Sequence, residues 1–218
     1  MGTVERRARE KSETRDKILD AARELFVTEG YEGISMRRVA EKIEYSPTAI
    51  YVYFADKEQL FRELCHQDYA RLAEVFQNSA MSSDPIERIR QIGSTYTEFG
   101  VRYPNHYKFM FMTPHPQYLH EPDEEDREVM GNPEVDAYAF LKWAVQQAID
   151  AGCFREELQD AELISQTLWA SVHGVISLNI AKCSDPWVDW RPLEQRAELM
   201  LDVTLRGLAR PAPADRKN

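Results

Sequence analysis

The chain reads as all-α: an N-terminal three-helix head with a helix-turn-helix, followed by a larger helical bundle. Three observations carry this reading. Helix start and stop signals recur along the 218 residues, and no stretch shows strand-like alternation over a useful length. Ser35 to Lys57, SMRRVAEKIEYSPTAIYVYFADK, holds two short helical segments joined by a tight turn, followed at once by aromatics and a lysine.

The elements follow in order. Thr14 is suited to cap a first helix whose Ile18, Ala22, Leu25 and Phe26 share one face, and Gly30 supplies a left-handed stop. Ser35 caps a second helix with Val39, Ala40 and Ile43 turned inward. Ser46-Pro47 opens a third, the serine as cap and the proline at the first helical position. Asp56 with Gln59 forms a capping box for a longer fourth helix carrying Leu60, Phe61, Leu64, Leu72 and Phe76. Asp84-Pro85-Ile86-Glu87 is the clearest helix start, and that helix should end near Tyr103-Pro104. A short aromatic helix over about 105–112 comes next. Residues 113–131 hold three prolines and an acidic run, which predict a long, mobile loop. Asn132-Pro133 opens a helix closed by Gly152, Asp160 caps one reaching Ile180, and the last runs from Pro192 to Leu208. The resulting division is a flexible basic arm over 1–13, a helix-turn-helix head over 14–60, a bundle over 61–209 and a disordered tail over 210–218.

Composition sets bounds. At 43% hydrophobic residues the chain can bury a core, and no apolar run approaches a bilayer span, so no membrane partner is expected. The N-terminus lacks an apolar signal segment, and three widely spaced cysteines, Cys65, Cys153 and Cys183, do not form a disulfide framework. A reducing cytoplasm is the expected location. The net charge of −10 is unusual for a nucleic-acid binder, but it is unevenly spread. Residues 1–60 carry 11 Lys/Arg against 12 Asp/Glu, whereas 61–218 carry 16 against 25.

A reading helix must expose its first turn and carry groups that reach phosphates and base edges. Ser35, Ser46, Pro47 and Thr48 supply capping and hydrogen-bonding groups there. Tyr51 and Tyr53 leave the helix end in different directions, and Lys57 is placed for a phosphate across the groove. Arg37 is the candidate base contact, since its planar fork suits guanine.

Residues 14–61, TRDKILDAARELFVTEGYEGISMRRVAEKIEYSPTAIYVYFADKEQLF, resemble the DNA-binding domain of TetR-type transcriptional regulators. Ile18, Ala21-Ala22, Leu25-Phe26, Gly30-Tyr31, Val39-Ala40, Ser46, Ile50-Tyr51, Phe54, Lys57 and Leu60-Phe61 carry the match. The resemblance implies a homodimer with a C-terminal ligand-binding and dimerisation domain, and a repressor released from palindromic double-stranded operator DNA by a small molecule. Two positions depart from the pattern. Glu44-Tyr45 stands where the family often has a glycine, which places Tyr45 to touch DNA, and Val52 replaces a frequent tyrosine. YPNHYKFMF (103–111) and LWASVHGVISL (168–178) resemble a subgroup with a Trp-x3-His-Gly element.

An apolar or aromatic effector of unknown identity suits Tyr96, Phe99, Tyr103, Tyr107, Phe111, Phe140, Trp143, Trp169 and His173. Ordinary core packing is the competing reading for each. A dimer face is expected from Ile164, Leu168, Ser171, Val175 and Leu178 on one helix and Ala197, Leu201, Thr204 and Leu208 on the next. His115 and His120 with nearby acids match no metal-ligand spacing, and no cofactor motif or catalytic constellation is present, so no metal, cofactor or enzyme activity is expected. The competing functions are an activator or effector-independent DNA-binding regulator and, remotely, a helical-bundle enzyme.

Overall fold

The structure, a computed structural model, describes residues 3–114, 116–122 and 124–210. Ten α-helices occupy them: α1 (Thr3–Gly33), α2 (Met36–Lys42), α3 (Pro47–Tyr51), α4 (Lys57–Ser79), α5 (Pro85–Arg102), α6 (Pro104–Phe111), α7 (Glu124–Val129), α8 (Ala137–Asp150), α9 (Ala161–Lys182) and α10 (Leu193–Leu208). Among the described residues the β pairing is confined to one isolated antiparallel bridge, Phe154 with Ala209. The all-α expectation holds.

Most helix starts fall where local chemistry sets them. The Asp84 carboxylate accepts from the Ile86 and Glu87 amides, and that of Asp160 accepts from the Leu163 amide. At α4 the Asp56 carboxylate accepts from Gln59 N–H at 2.8 Å while the Gln59 side chain reaches back to Ala55 N–H at 2.6 Å. Three starts differ from expectation. α1 begins at Thr3, not Thr14, because residues 5–13 are strong helix formers laced by Arg6–Glu10 and Arg9–Glu13 pairs. Thr14 therefore sits inside the helix, its hydroxyl donating to the Glu10 carbonyl. α8 begins at Ala137, since Asn132 to Asp136 close a turn on the Asn132 carbonyl and Asp136 becomes the cap. The stretch expected as a long loop contains a 3-10 turn, Gln117–His120, and α7. His66 of α4 meets the Asp126 carboxylate at 2.8 Å, and Arg62 donates to the Glu121 carbonyl. The expected tail from 211 onward lies outside the described residues.

Contacts divide the chain into two units, residues 1–69 with 105–127, and 70–104 with 128–218. In the first unit Ile18, Leu19, Ala22 and Phe26 of α1 are buried with Val39 and Ala40 of α2, Ile50 of α3 and Leu60, Phe61 and Leu64 of α4. Phe26, Tyr31, Phe61 and Phe109 pack ring against ring with centroids 5.2–5.8 Å apart. Beside them Arg23 and Asp68 are 3% and 0% exposed. The guanidinium donates twice to that carboxylate, at 2.9 and 2.8 Å, and His106 Nδ1 reaches the same group at 2.9 Å. Arg23 also meets Asp20 at 2.6 Å.

The second unit packs α5, α8, α9 and α10 on one another. Gly93 lets α10 come close to α5: a Cβ there would lie 2.4 Å from a Leu201 methyl. Arg90 pairs with Asp202 along the same seam. After α10 the chain returns to Cys153–Arg155, where the Arg155 and Arg210 amides donate to the Leu208 and Cys153 carbonyls.

Arg23→Ala strands the buried Asp68 carboxylate and should cost about 3–5 kcal/mol. Urea unfolding checks this, with an expected loss well above that for Arg6→Ala, whose pair is exposed.

Candidate nucleic-acid interface

The helix-turn-helix is built by three capping events. Ser35 Oγ accepts from the Arg38 amide and Ser46 Oγ accepts from the Ala49 amide, each at 3.2 Å, with Pro47 at the first position of α3. Between them α2 closes in a Schellman motif: Tyr45 N–H donates to the Ala40 carbonyl at 2.9 Å and Glu44 N–H to the Glu41 carbonyl at 3.3 Å. That closure needs a left-handed residue, and Glu44 fills the position with φ 60°. Among the described residues it is the one non-glycine with positive φ, a conformation that costs on the order of 1–2 kcal/mol for an L residue.

Burial fixes which side faces out. Ile50 and Phe54 are buried beneath α3, whereas Ser35, Arg37, Tyr45, Ser46, Pro47, Thr48 and Tyr51 are exposed. Tyr53 and Lys57 are half-buried. Tyr45, Tyr51 and Val52 are 39%, 53% and 73% exposed, so an aromatic and aliphatic edge lies open beside hydroxyl-bearing residues. Val52 has no counterpart in the sequence-based site. Its methyl groups suit the thymine C5-methyl, and its substitution for a tyrosine was legible, but its outward direction was not.

The basic side chains here are paired. Arg37 Nε donates to Glu41 Oε1 at 2.9 Å, which leaves its outer two-nitrogen fork open. Arg38 meets Glu29 at 3.1 Å and Lys42 meets Glu24 at 3.0 Å. Exposed pairs of this kind contribute at most about 1 kcal/mol, so a phosphate can replace the carboxylate at small cost. Lys57 behaves differently. Its ammonium donates to the Tyr31 carbonyl at 2.9 Å and lies 4.1 Å from the centroid of that ring. It therefore ties the start of α4 to the chain after Gly30, whose φ of 73° and ψ of 170° kink the end of α1 in a region open mainly to glycine. Its ammonium keeps further N–H donors for a phosphate.

The nine expected effector residues divide between the units. Tyr107 and Phe111 meet at a tilt in the first, their ring centroids 5.0 Å apart, with Tyr69 against Phe111. In the second, Tyr96, Phe99 and Phe140 are buried while Trp143, Trp169 and His173 reach the surface to differing degrees. Trp169 Nε1 donates to the Tyr96 hydroxyl at 3.0 Å, Tyr138 packs on Trp169, and Phe99 contacts Tyr103. Burial lowers the His173 pKa. Burial and a 2.5 Å hydrogen bond to Glu162 push the Tyr138 hydroxyl up to about 12, so it remains a donor at neutral pH. Of the expected dimer face, Ile164, Leu168, Ala197 and Leu201 are buried inside one chain, Ser171, Val175, Thr204 and Leu208 are half-buried, and Leu178 is exposed. Leu163, Leu199 and Val203 are exposed on the same two helices. His115 and the side chain of His120 lie outside the described residues. Among the described residues no group of three or more His, Cys, Asp or Glu is gathered to hold a metal. No described helix is long and apolar enough to cross a membrane.

A short helix capped by Ser46 and held outward on a buried three-helix support defines a helix-turn-helix regulator. Residues 18–64 match the family model for bacterial regulatory proteins of the tetR family, and residues 89–204 match the tetracyclin repressor-like C-terminal domain. The chain belongs to the TetR family, whose members here are transcriptional regulators and not enzymes. It is 47% identical over 66 residues to the HTH-type transcriptional repressor AcnR of Corynebacterium diphtheriae, covering 30% of this chain and 35% of that protein. The match thus spans about a third of the relative's length. The repressor NicS of Pseudomonas putida is 24% identical over 153 residues, 70% of this chain and 71% of NicS. Among solved structures, a TetR family regulator from Marinobacter aquaeolei VT8 superposes with a TM-score of 0.73 at 19% identity, covering 93% of this chain and 98% of that one. FadR of Bacillus subtilis in complex with stearoyl-CoA gives 0.67 at 18% identity, covering 88% and 98%. These two likenesses concern the fold.

Two variants separate support from contact. Lys57→Ala should lower stability by about 1–2 kcal/mol through loss of the carbonyl hydrogen bond and the ring contact. A pure phosphate ligand would leave the melting temperature unchanged. Glu44→Gly should raise the melting temperature by about 2–4 °C, as expected for relief of about 1 kcal/mol in a chain of this size.

Proposed function

We propose that the protein is a homodimeric transcriptional repressor that a small apolar or aromatic effector releases from palindromic double-stranded operator DNA. The observation that carries this reading is the outward ridge of Ser46, Pro47, Thr48 and Tyr51, seated on buried Ile50 and Phe54. α3 enters the major groove, Ser46, Thr48, Tyr51 and Tyr53 meet phosphates, and the open fork of Arg37 reads a guanine from α2. The repressor names of AcnR and NicS support repression over activation. Acting on chromosomal DNA, the protein works in the cytoplasm.

The second copy sits on the outward rows of α9 and α10, where Leu163, Leu178, Leu199 and Val203 leave apolar surface in water. Two heads then meet half-sites about one helical turn apart, roughly 34–36 Å. An effector that changes their separation weakens binding without touching DNA. Stearoyl-CoA is bound by FadR, and KstR2 of Mycobacterium tuberculosis is described as a ketosteroid regulator with TM-score 0.64 at 17% identity. The aromatic cluster of buried Tyr96 and Phe140 with Trp169 at its edge suits a ligand of similar apolar character.

Selection from a random duplex library with the full-length protein should enrich a palindromic sequence whose affinity falls steeply with salt. Enrichment of no sequence overturns the proposal. Arg37→Ala should relax selectivity at one position per half-site, and equal losses on every sequence would reassign it to phosphate. Leu178→Glu combined with Val203→Glu should halve the mass seen by light scattering from the dimer value, and operator affinity should drop at least tenfold with it.

A further inference from the structure

We infer that Glu44 is a specificity-determining residue of the head, its carboxylate accepting a hydrogen bond from the exocyclic amine of a cytosine in the major groove. This rests on the DNA-binding reading above. Two independent observations point to it. The backbone at Glu44 is left-handed, φ 60°, where glycine would sit without strain. The side chain is exposed, and among the described residues its carboxylate meets no hydrogen-bond or ion-pair partner. The acids that face the cations of α2 are engaged: Glu41 holds Arg37, Glu29 holds Arg38 and Glu24 holds Lys42. The Schellman closure needs the left-handed backbone but would form equally with glycine. No side-chain contact inside the protein therefore accounts for a glutamate there, and strain retained at one exposed residue indicates a gain made elsewhere.

Its place in the chain says where that gain is made. Glu44 sits between the last turn of α2 and the Ser46 cap of α3, next to exposed Tyr45. Beside DNA a carboxylate is repelled by every phosphate and by the acceptor atoms of guanine and thymine. Adenine offers an amine but sets the N7 acceptor next to it. Cytosine alone presents a donor with no acceptor on its own major-groove edge. The same charge that accepts from cytosine penalises every other base at that position, so Glu44 discriminates by both attraction and repulsion.

The test runs the random-duplex selection in parallel with wild type, Glu44→Gly and Glu44→Gln, each checked by its melting curve. Wild type should fix one C·G pair per half-site, with discrimination of roughly tenfold against T·A. Glu44→Gly should accept any base pair there, Glu44→Gln should weaken the C·G preference and admit A·T, and both should keep the remaining consensus. Glu44→Gly should also bind random duplex more tightly, by roughly threefold or more, through loss of phosphate repulsion. An unchanged preference at every position in folded variants overturns the inference and leaves the DNA-binding reading intact. Loss of preference at all positions together with a lowered melting temperature assigns Glu44 a structural role and overturns it equally. Wild type that enriches no sequence overturns both.

Discussion

Arg23 and Asp68 carry the organisation of the first unit. A guanidinium and a carboxylate taken out of water cost far more than either can recover from one contact, so their geometry must be satisfied in full. It is: Arg23 grips both oxygens of Asp68, His106 takes one of them as well, and Asp20 receives the remaining fork of the arginine. α1, α4 and α6 are thereby held to one another by a directional contact set in an aromatic core that is not directional. The rings of Phe26, Tyr31, Phe61 and Phe109 supply the apolar burial, and the ion pair adds the contact whose geometry is fixed atom by atom.

The reading surface depends on that support. α3 has five residues, too few to persist alone, and its direction comes from Ile50 and Phe54 beneath it and the Ser46 cap at its start. Lys57 contributes a second tie, from the start of α4 to Tyr31. Its match to the family pattern thus has a structural cause in addition to any role on DNA. The head carries almost no net charge, and Arg37, Arg38 and Lys42 of α2 are each neutralised by a nearby carboxylate. A surface so balanced has weak attraction for arbitrary DNA, which favours selectivity over bulk affinity.

In the second unit the same helices serve two faces. Ile164, Leu168, Ala197 and Leu201 turn toward their own chain, and Gly93 admits Leu201 against α5. Leu163, Leu178, Leu199 and Val203 turn outward. An i, i+4 stripe read from sequence selects the first row because it is the more regular, whereas the row proposed to meet a second copy is the one the chain's own core does not use.

Local chemistry, carried by residues a few positions apart, made the helix starts at Ser35, Ser46-Pro47, Asp56, Asp84-Pro85 and Asp160 legible in the sequence, and with them the all-α class and the helix-turn-helix. The glycine-to-glutamate exchange at 44 was legible for the same reason, because the Schellman closure is a property of one short segment. Residues 3–13 were misread since a cap signal at Thr14 competes with helix-forming neighbours, and only the sum decides. The Arg23–Asp68 pair spans 45 residues, and no periodicity announces it. Which side of α9 is core, where Val52 points, and that Lys57 answers Tyr31 were likewise decided by tertiary packing. Sequence determines what a segment does alone; burial against distant segments determines which of its faces remains to act.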